Sequence, residues 1–442
     1  MGGASVTAIA NRTIKRINNL VEIPRRSAKS ENAPFNLKFR GLKIEKLQTF
    51  VVGNPPPRTG GRYFIFVKLT TDTGVTGIGE IYTATYSPQV VCKVAEDIFA
   101  RYVFGSDPFH IEKMWRRTYG SGFSHRPDFS TAGVVSGLEM AMWDICGKDT
   151  GKPVYELLGG QVHDRLRCYT YLYPPHEFDA HSDHPLYSDP DMSAEAALRE
   201  VERGFTAVKL DPAGPYSVYD GRQPSLATID RSVRMVAAIR KAVGNRADIL
   251  FGTHGQFTAS GAIRLAKQLE PYDPMWFEEP IPPDAPEEMA KVAAHTSIPI
   301  ATGERLTSKY EFAHLLRVGG ASIIQLATGR CGGILEGKKI ASIAETYHAQ
   351  IAPHLYCGPI EGAANIQLST CTPNFLILES IQDWGGFHAK ILKKPIQFDN
   401  GYVIPSKEPG LGVELNEEVA LAHPYTGTDL HLNERQTPAD LS

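Results

Sequence analysis

Cysteine is scarce in this chain and is nowhere arranged to bridge or to bind. The six thiols (Cys92, Cys146, Cys168, Cys331, Cys357 and Cys371) are widely scattered, with no CxxC pair and no Cys/His ligand spacing. That excludes a disulfide framework and a zinc module, and it suits a reducing, cytoplasmic compartment. Long apolar runs are lacking too. None approaches the ~20 residues that cross a bilayer, so no membrane partner is expected. Charge of one sign is not in excess: a net charge of −3 over 442 residues gives no electrostatic reason to expect nucleic acid. Residues 1–38 are basic, but Glu22 and Glu31 interrupt them and no apolar stretch or small-residue cleavage site follows. They read as an N-terminal extension rather than a transit peptide.

What is there fits a soluble enzyme of about two or three domains. Residues 39–164 open with strand-like segments, LKIEKLQTFVV and RYFIFVKLTTDTGVTGIGE, separated by PPPRTGG, a Pro- and Gly-rich loop expected to be mobile and lid-like. VVCKVAEDIFARYVFG, HIEKMWRRTYG and GVVSGLEMAMWDICGK then space apolar residues by three and four, as helices do. Together they make an α+β domain. RLRCYTYLY starts a new pattern that occupies residues 165–393. A polar insert after it carries His176, His181 and His184, whose irregular spacing reads as a solvated loop, not a metal cluster. Residues 394–442 return to turn-rich, β-like sequence. They are expected to pack back on the N-terminal domain rather than extend the second one.

The second domain organises the chain. From residue 247 to 379, short β-like runs end in turn at His254, Glu278, Glu304, Ala327, His354 and Glu379, in steps of 23 to 27 residues. One strand, one helix and two short loops need about that length, which predicts a β/α barrel delivering its strand ends to a single mouth. Glu278 and Glu304 end consecutive strands about 4.8 Å apart, close enough to share a hard divalent ion, Mg²⁺ first. The bland alternative pairs them with Arg305. Lys209, flanked by Val208 and Leu210, is expected to have a lowered pKa and to act as a base, or else to neutralise neighbouring carboxylates. Asp211 points the same way two residues on and is a further metal candidate. His254 and His354 are the candidate proton carriers, facing each other across the barrel. Glu379 is placed to hydrogen-bond substrate or to pair ionically.

Four blocks, GLEMAMWDICGKDTGKPVYELLGG, WFEEPIPPD, SIPIATGERL and RCGGILEGKKIASIAETYHAQIAPH, resemble the enolase superfamily, and within it the mandelate racemase-type acid sugar dehydratases of the galactonate dehydratase kind. The resemblance implies a modified (β/α)7β barrel beneath an α+β capping domain formed by N- and C-terminal segments. It also implies Mg²⁺-assisted removal of the proton α to a carboxylate, a small sugar-acid substrate, a 2-keto-3-deoxy product and a homo-oligomer. Glu278 and Glu304 match two metal carboxylates, His254 the acid, His354 the base, Lys209 the first lysine of a KxK motif, and Glu379 the acidic residue on the last strand. Arg305 is carried as a substrate-binding candidate. Three positions depart from the pattern. Gly252 stands where a third carboxylate is implied, Ala327 where an aspartate supports the base, and Asp211 where a second lysine belongs. His254 or Asp211 is then expected to complete the metal shell. The rival readings are a racemase, epimerase or cycloisomerase on the same chemistry, a non-catalytic sugar-acid-binding relative, and a glycosidase using Glu278 and Glu304.

Overall fold

The computed structural model describes residues 41–123, 128–180, 182–432 and 434–438. The expected extension at residues 1–38 lies outside them, as does His181. Strands β1 (Ile44–Gly53), β2 (Tyr63–Thr71) and β3 (Thr76–Ile81) form an antiparallel meander in that order. Helices α1 (Pro88–Ile98), α2 (Ile111–Tyr119), α3 (Phe129–Thr150) and α4 (Val154–Leu157) follow. The Asp128 carboxylate starts α3 by accepting from the Ser130 and Thr131 amides, and Gly151 ends it in the left-handed conformation at φ 68°. Glycine lets α3 lie directly on β3. A Cβ at Gly79 would sit 1.9 Å from the Gly137 carbonyl oxygen.

Among the described residues, eight parallel strands then form the barrel. They are β4 (Leu166–Tyr171), β5 (Ala207–Leu210), β6 (Asp248–Gly252), β7 (Trp276–Glu278), β8 (Ile300–Thr302), β9 (Ile323–Ile324), β10 (Gln350–Ile351) and β11 (Leu378–Ser380). Each pairs with the next from β4 to β10, and β11 closes back onto β4. The remaining seam is sealed by the Ile351 amide donating to Asn374 at 2.8 Å and the Leu376 amide donating to Ile351 at 2.9 Å. The helices between strands are α5 (Pro190–Glu202), α6 (Leu226–Val243), α7 (Ala259–Leu269), α8 (Pro286–Ala293), α9 (Lys309–Arg317), α10 (Ile334–Glu345) and α11 (Pro359–Thr370). This is a (β/α)7β barrel under an α+β cap. No described helix is long and apolar enough to cross a membrane.

The barrel floor explains where the site must be. Tyr169, Ala207, Leu250, Trp276, Ala301, Ile323, Ala352 and Ile377, one from each strand or its end, pack into a single buried layer. Large and small residues alternate around much of it, so it fills without voids. Side chains repeat their direction every second residue along a strand. The next inward layer is therefore two positions on: Lys209, Gly252, Glu278, Gln325, His354 and Glu379 stand directly above an apolar plug.

Two glutamates fasten the cap. Glu80, fully buried at the end of β3, accepts the Gly358 and Glu361 amides at 2.7 and 2.9 Å, at the start of α11. Glu139 on α3 accepts the Ile334 and Leu335 amides at 2.8 and 2.9 Å, at the start of α10. Each carboxyl satisfies helix N–H groups that have no partner within the helix. Burial raises both, Glu80 to about 7 and Glu139 to about 8.

The tail departs from expectation. Strands β12 (Phe398–Asp399) and β13 (Tyr402–Val403) form a hairpin that pairs with β4, Tyr402 against Arg167. This part does extend the barrel sheet, because the outer edge of β4 offers free backbone groups below its parallel ladder. Farther on the chain reaches the cap, Pro424 bridging to Val52, and then crosses to the barrel mouth. There Arg435 pairs with Ser217 and the Val218 amide donates to the Arg435 carbonyl at 3.1 Å. On the way the two His431 ring nitrogens each lie 3.0 Å from a backbone carbonyl, Tyr63 in the cap and Tyr356 past β10.

Candidate active site

Glu278 is the last residue of β7, fully buried, with all of its oxygens engaged. Oε1 receives the Lys209 ammonium at 2.5 Å, and Oε2 receives Gln325 Nε2 at 2.7 Å and Trp276 Nε1 at 3.1 Å. Three donors from three strands fix its direction. Glu304, two residues past β8, is buried with Oε2 accepting no hydrogen bond, although His354 Nε2 lies 3.3 Å away and His254 Nε2 3.8 Å. Burial pushes its pKa up, but the histidines, Lys209 and Arg330 outweigh that and hold it well below the usual carboxylate range. Ligand atoms of His254, Glu278 and Glu304 all lie within 4.8 Å of one another. Two carboxylates, one imidazole nitrogen and an unsatisfied buried oxygen fit a divalent cation. The residues that would hold it are those three. Asp211 is not one of the group; it stands behind His254.

His254 is presented by a strained turn. Its φ is 43°, in the left-handed region that costs a non-glycine residue about 1–3 kcal/mol unless surroundings hold it. They do. The Thr253 hydroxyl donates to the Glu278 and Glu279 carbonyls at 3.0 Å, the Gly255 amide donates to Glu279 at 2.6 Å, and Arg305 Nη2 donates to the His254 carbonyl at 2.9 Å. Asp211 Oδ2 lies 3.0 Å from His254 Nδ1 and takes the Tyr216 hydroxyl. Burial pulls the His254 pKa down, but Asp211 and Glu304 raise it to about 10.

His354 shows the reverse. Burial lowers it to about 3; Glu304 opposes this, while Arg330, Lys209 and His254 add to it. Its Nδ1 is buried without a hydrogen-bond partner. The expected supporting aspartate is Ala327, next to Leu326, whose carbonyl accepts the His354 amide at 3.0 Å. The two histidines do not simply face one another across the mouth. Both lean on the same Glu304 oxygen.

Two expectations are corrected here. Lys209 does not have a lowered pKa. Burial acts in that direction, but Glu278 and Glu379 outweigh it and hold the ammonium well above its ordinary value, 2.5 and 3.6 Å away. A charged, doubly paired lysine neutralises carboxylates, the second of the two roles expected of it. Arg305 pairs with neither Glu278 nor Glu304; its Nε and Nη2 engage Glu279 at 2.9–3.1 Å and brace the His254 turn. Those contacts make it a positioning group for His254. Glu379 accepts the Leu355 amide at 2.7 Å beside Lys209, and burial raises it to about 7. In the insert, His184 Nδ1 accepts the Leu186 amide at 3.1 Å and caps a turn.

Several site residues escaped the sequence reading. Gln325 lies two positions before Ala327, so strand alternation alone points it inward. Tyr82 comes from the cap and stacks on His354, rings 6.0 Å apart at 9°, with Arg330 3.7 Å over its other face. No local pattern could have announced it. The loop at residues 55–61, expected to be mobile, is docked. Asn54 Nδ2 donates to Thr59 and Gly61, and Arg58 reaches Asp179 in the insert at 2.6 Å.

The chain can now be set beside known proteins. Residues 191–419 match the family described as Enolase C-terminal domain-like, and residues 58–159 match the Mandelate racemase / muconate lactonizing enzyme, N-terminal domain. D-galactonate dehydratase of Ralstonia pickettii (strain 12J) is 35% identical over 389 residues, covering 86% of this chain and 94% of its own. A Labrenzia alexandrii DFL-11 structure assigned to the mandelate racemase/muconate lactonizing enzymes is 62% identical, with TM-score 0.86, covering 89% of this chain and all 100% of its own. The mandelate racemase/muconate lactonizing enzyme of Sulfitobacter sp. is 53% identical, with TM-score 0.87, covering 90% and 100%. Cap and barrel thus match together and in order, and the acids meet where such barrels keep their chemistry: the chain belongs to the enolase superfamily, as an enzyme of the mandelate racemase/muconate lactonizing enzyme type.

Proposed function

We propose that the protein is a dehydratase of a sugar acid, an aldonate or aldarate, working with a divalent cation, for which the resemblance implies Mg²⁺. One observation carries this reading: ligand atoms of His254, Glu278 and Glu304 converge within 4.8 Å, with the His354 imidazole 3.3 Å from Glu304 Oε2. A bound cation supplies Lewis acidity to the substrate carboxylate, offsetting the charge that grows there as the α-proton leaves. His354, uncharged at neutral pH, takes that proton at Nε2, and Glu304 Oε2 at 3.3 Å stabilises the resulting imidazolium. The same imidazolium returns the proton to the 3-hydroxyl, which departs as water, and the enol tautomerises to a 2-keto-3-deoxy acid. Tyr82 stacked on His354 keeps bulk water from the ring. A racemase needs a base on each face of the α-carbon, and Lys209, the other basic side chain at this level, is held charged between Glu278 and Glu379. One base favours elimination over racemisation. The test is a library of aldonates and aldarates with divalent cation, read by semicarbazide for 2-keto acids and by NMR for α-deuterium exchange. A 2-keto-3-deoxy product from at least one acid is expected. Exchange with epimer and no keto acid would replace this reading with the epimerase.

A further inference from the structure

We infer that the third protein ligand to the cation is His254 through Nε2, that Asp211 is the carboxylate that aims it, and that residue 252 is glycine to admit Asp211. The inference rests on the metal-dependent reading above and goes further, to the ligand set and the ion it prefers. Asp211 follows the last residue of β5, and in the register of that pair Leu210 lies against Phe251. Asp211 is thus brought beside Gly252. A Cβ built on Gly252 would stand 1.9 Å from Asp211 Oδ1. Any side chain at 252 and the Asp211 carboxylate in its observed place exclude each other. Oδ2 of the same carboxylate, anchored by the Tyr216 hydroxyl, is the acceptor 3.0 Å from His254 Nδ1, a buried ring nitrogen with no hydrogen-bond partner of its own. That leaves Nε2 as the ring atom turned toward Glu304 Oε2, 3.8 Å away. Carboxylate, imidazole and ion in line is how a ligating histidine is held in one tautomer and orientation.

The donor set then has chemical consequences. Glu278 and Glu304 are hard oxygen ligands, whereas an imidazole nitrogen favours borderline first-row ions over Mg²⁺. Mn²⁺ is expected to bind at least about ten times more tightly than Mg²⁺. The test uses the full chain stripped of metal, titrated calorimetrically with Mn²⁺ and with Mg²⁺, and the Mn²⁺-loaded protein examined by pulsed EPR for ¹⁴N coupling from a directly bound imidazole. Wild type should show that coupling. His254→Asn, a residue that tolerates the positive φ, should lose both the coupling and the Mn²⁺ preference, while His354→Asn keeps them. Asp211→Asn should weaken Mn²⁺ about 10–100-fold, and Gly252→Ala should copy it by displacing the same carboxylate. Coupling that survives His254→Asn, or equal affinity for the two ions, overturns the assignment while leaving a metal-dependent enzyme. Failure of wild type to take up either ion overturns both.

Discussion

Along β5 to β8 the mouth of the barrel carries Lys209, Asp211, His254, Glu278 and Glu304; along β9 and β10 it carries Gln325, Ala327 and His354. The same side chain therefore meets opposite surroundings on the two sides. His254, beside Asp211 and Glu304, is raised to about 10, whereas burial, aided by nearby Arg330, lowers His354 to about 3. The difference teaches that residue type did not assign these roles. The neighbours did. Behind His354 the neutral character continues into the cap seam, where Glu80 and Glu361 are raised by burial to about 7 and 8.

Five changes would break or sharpen this contrast. Glu304→Gln strikes both sides, since both histidines lean on it. Turnover should fall at least about a thousand-fold and cation uptake should vanish in calorimetry; wild-type-like activity would remove the basis of the reading. His354→Asn strikes the neutral side alone. The expected loss is about 10²–10⁴ in kcat, with α-deuterium exchange gone and cation binding kept. Glu361→Gln probes the seam behind it. A carboxyl whose folded pKa is raised lends stability fully present below its unfolded value near 4.5, and that stability is lost as pH climbs through about 8. Wild-type Tm should drop across this range, by on the order of a few kcal/mol in stability, and the variant should flatten part of the drop. Ala327→Asp would make the two sides alike. An aspartate at Nδ1 raises the His354 pKa, so the acid limb of kcat/KM should move up by about one pH unit; an unmoved limb would show that Nδ1 is not where support is missing. Arg58→Ala touches only the loop above both sides. Its ion pair with Asp179 is 44% and 25% exposed, so denaturant melts should shift by under about 1 kcal/mol, with KM changing modestly and kcat holding.

Much of the charged side was legible in the chain itself. Evenly spaced strand ends placed Glu278 and Glu304 on neighbouring strands, and both belong to the cluster that could hold a cation. The gap at Gly252 was also visible, and His254 and Asp211 were the candidates to fill it, but the close meeting of Asp211 with that glycine depends on the register of β5 against β6. Lys209 was misjudged for a related reason. Burial alone lowers an ammonium, and only the folded distances to Glu278 and Glu379 reveal that pairing prevails. Tyr82 belongs to another domain altogether, and its stacking on His354 follows from how Glu80 and Glu139 seat the cap on the starts of α11 and α10. The hairpin of β12 and β13 was misplaced because its turn-rich composition is silent about which sheet edge is open.

The last described stretch of chain, from Pro424 to the strand-like bridge at Arg435, is tied to β1, to the Tyr63 carbonyl through His431, and to the loop whose Tyr216 holds Asp211. It is synthesised after every stave of the barrel. A nascent polypeptide released from the ribosome before this stretch emerges already possesses all its acids and both imidazoles, yet lacks the strap that ties cap to mouth.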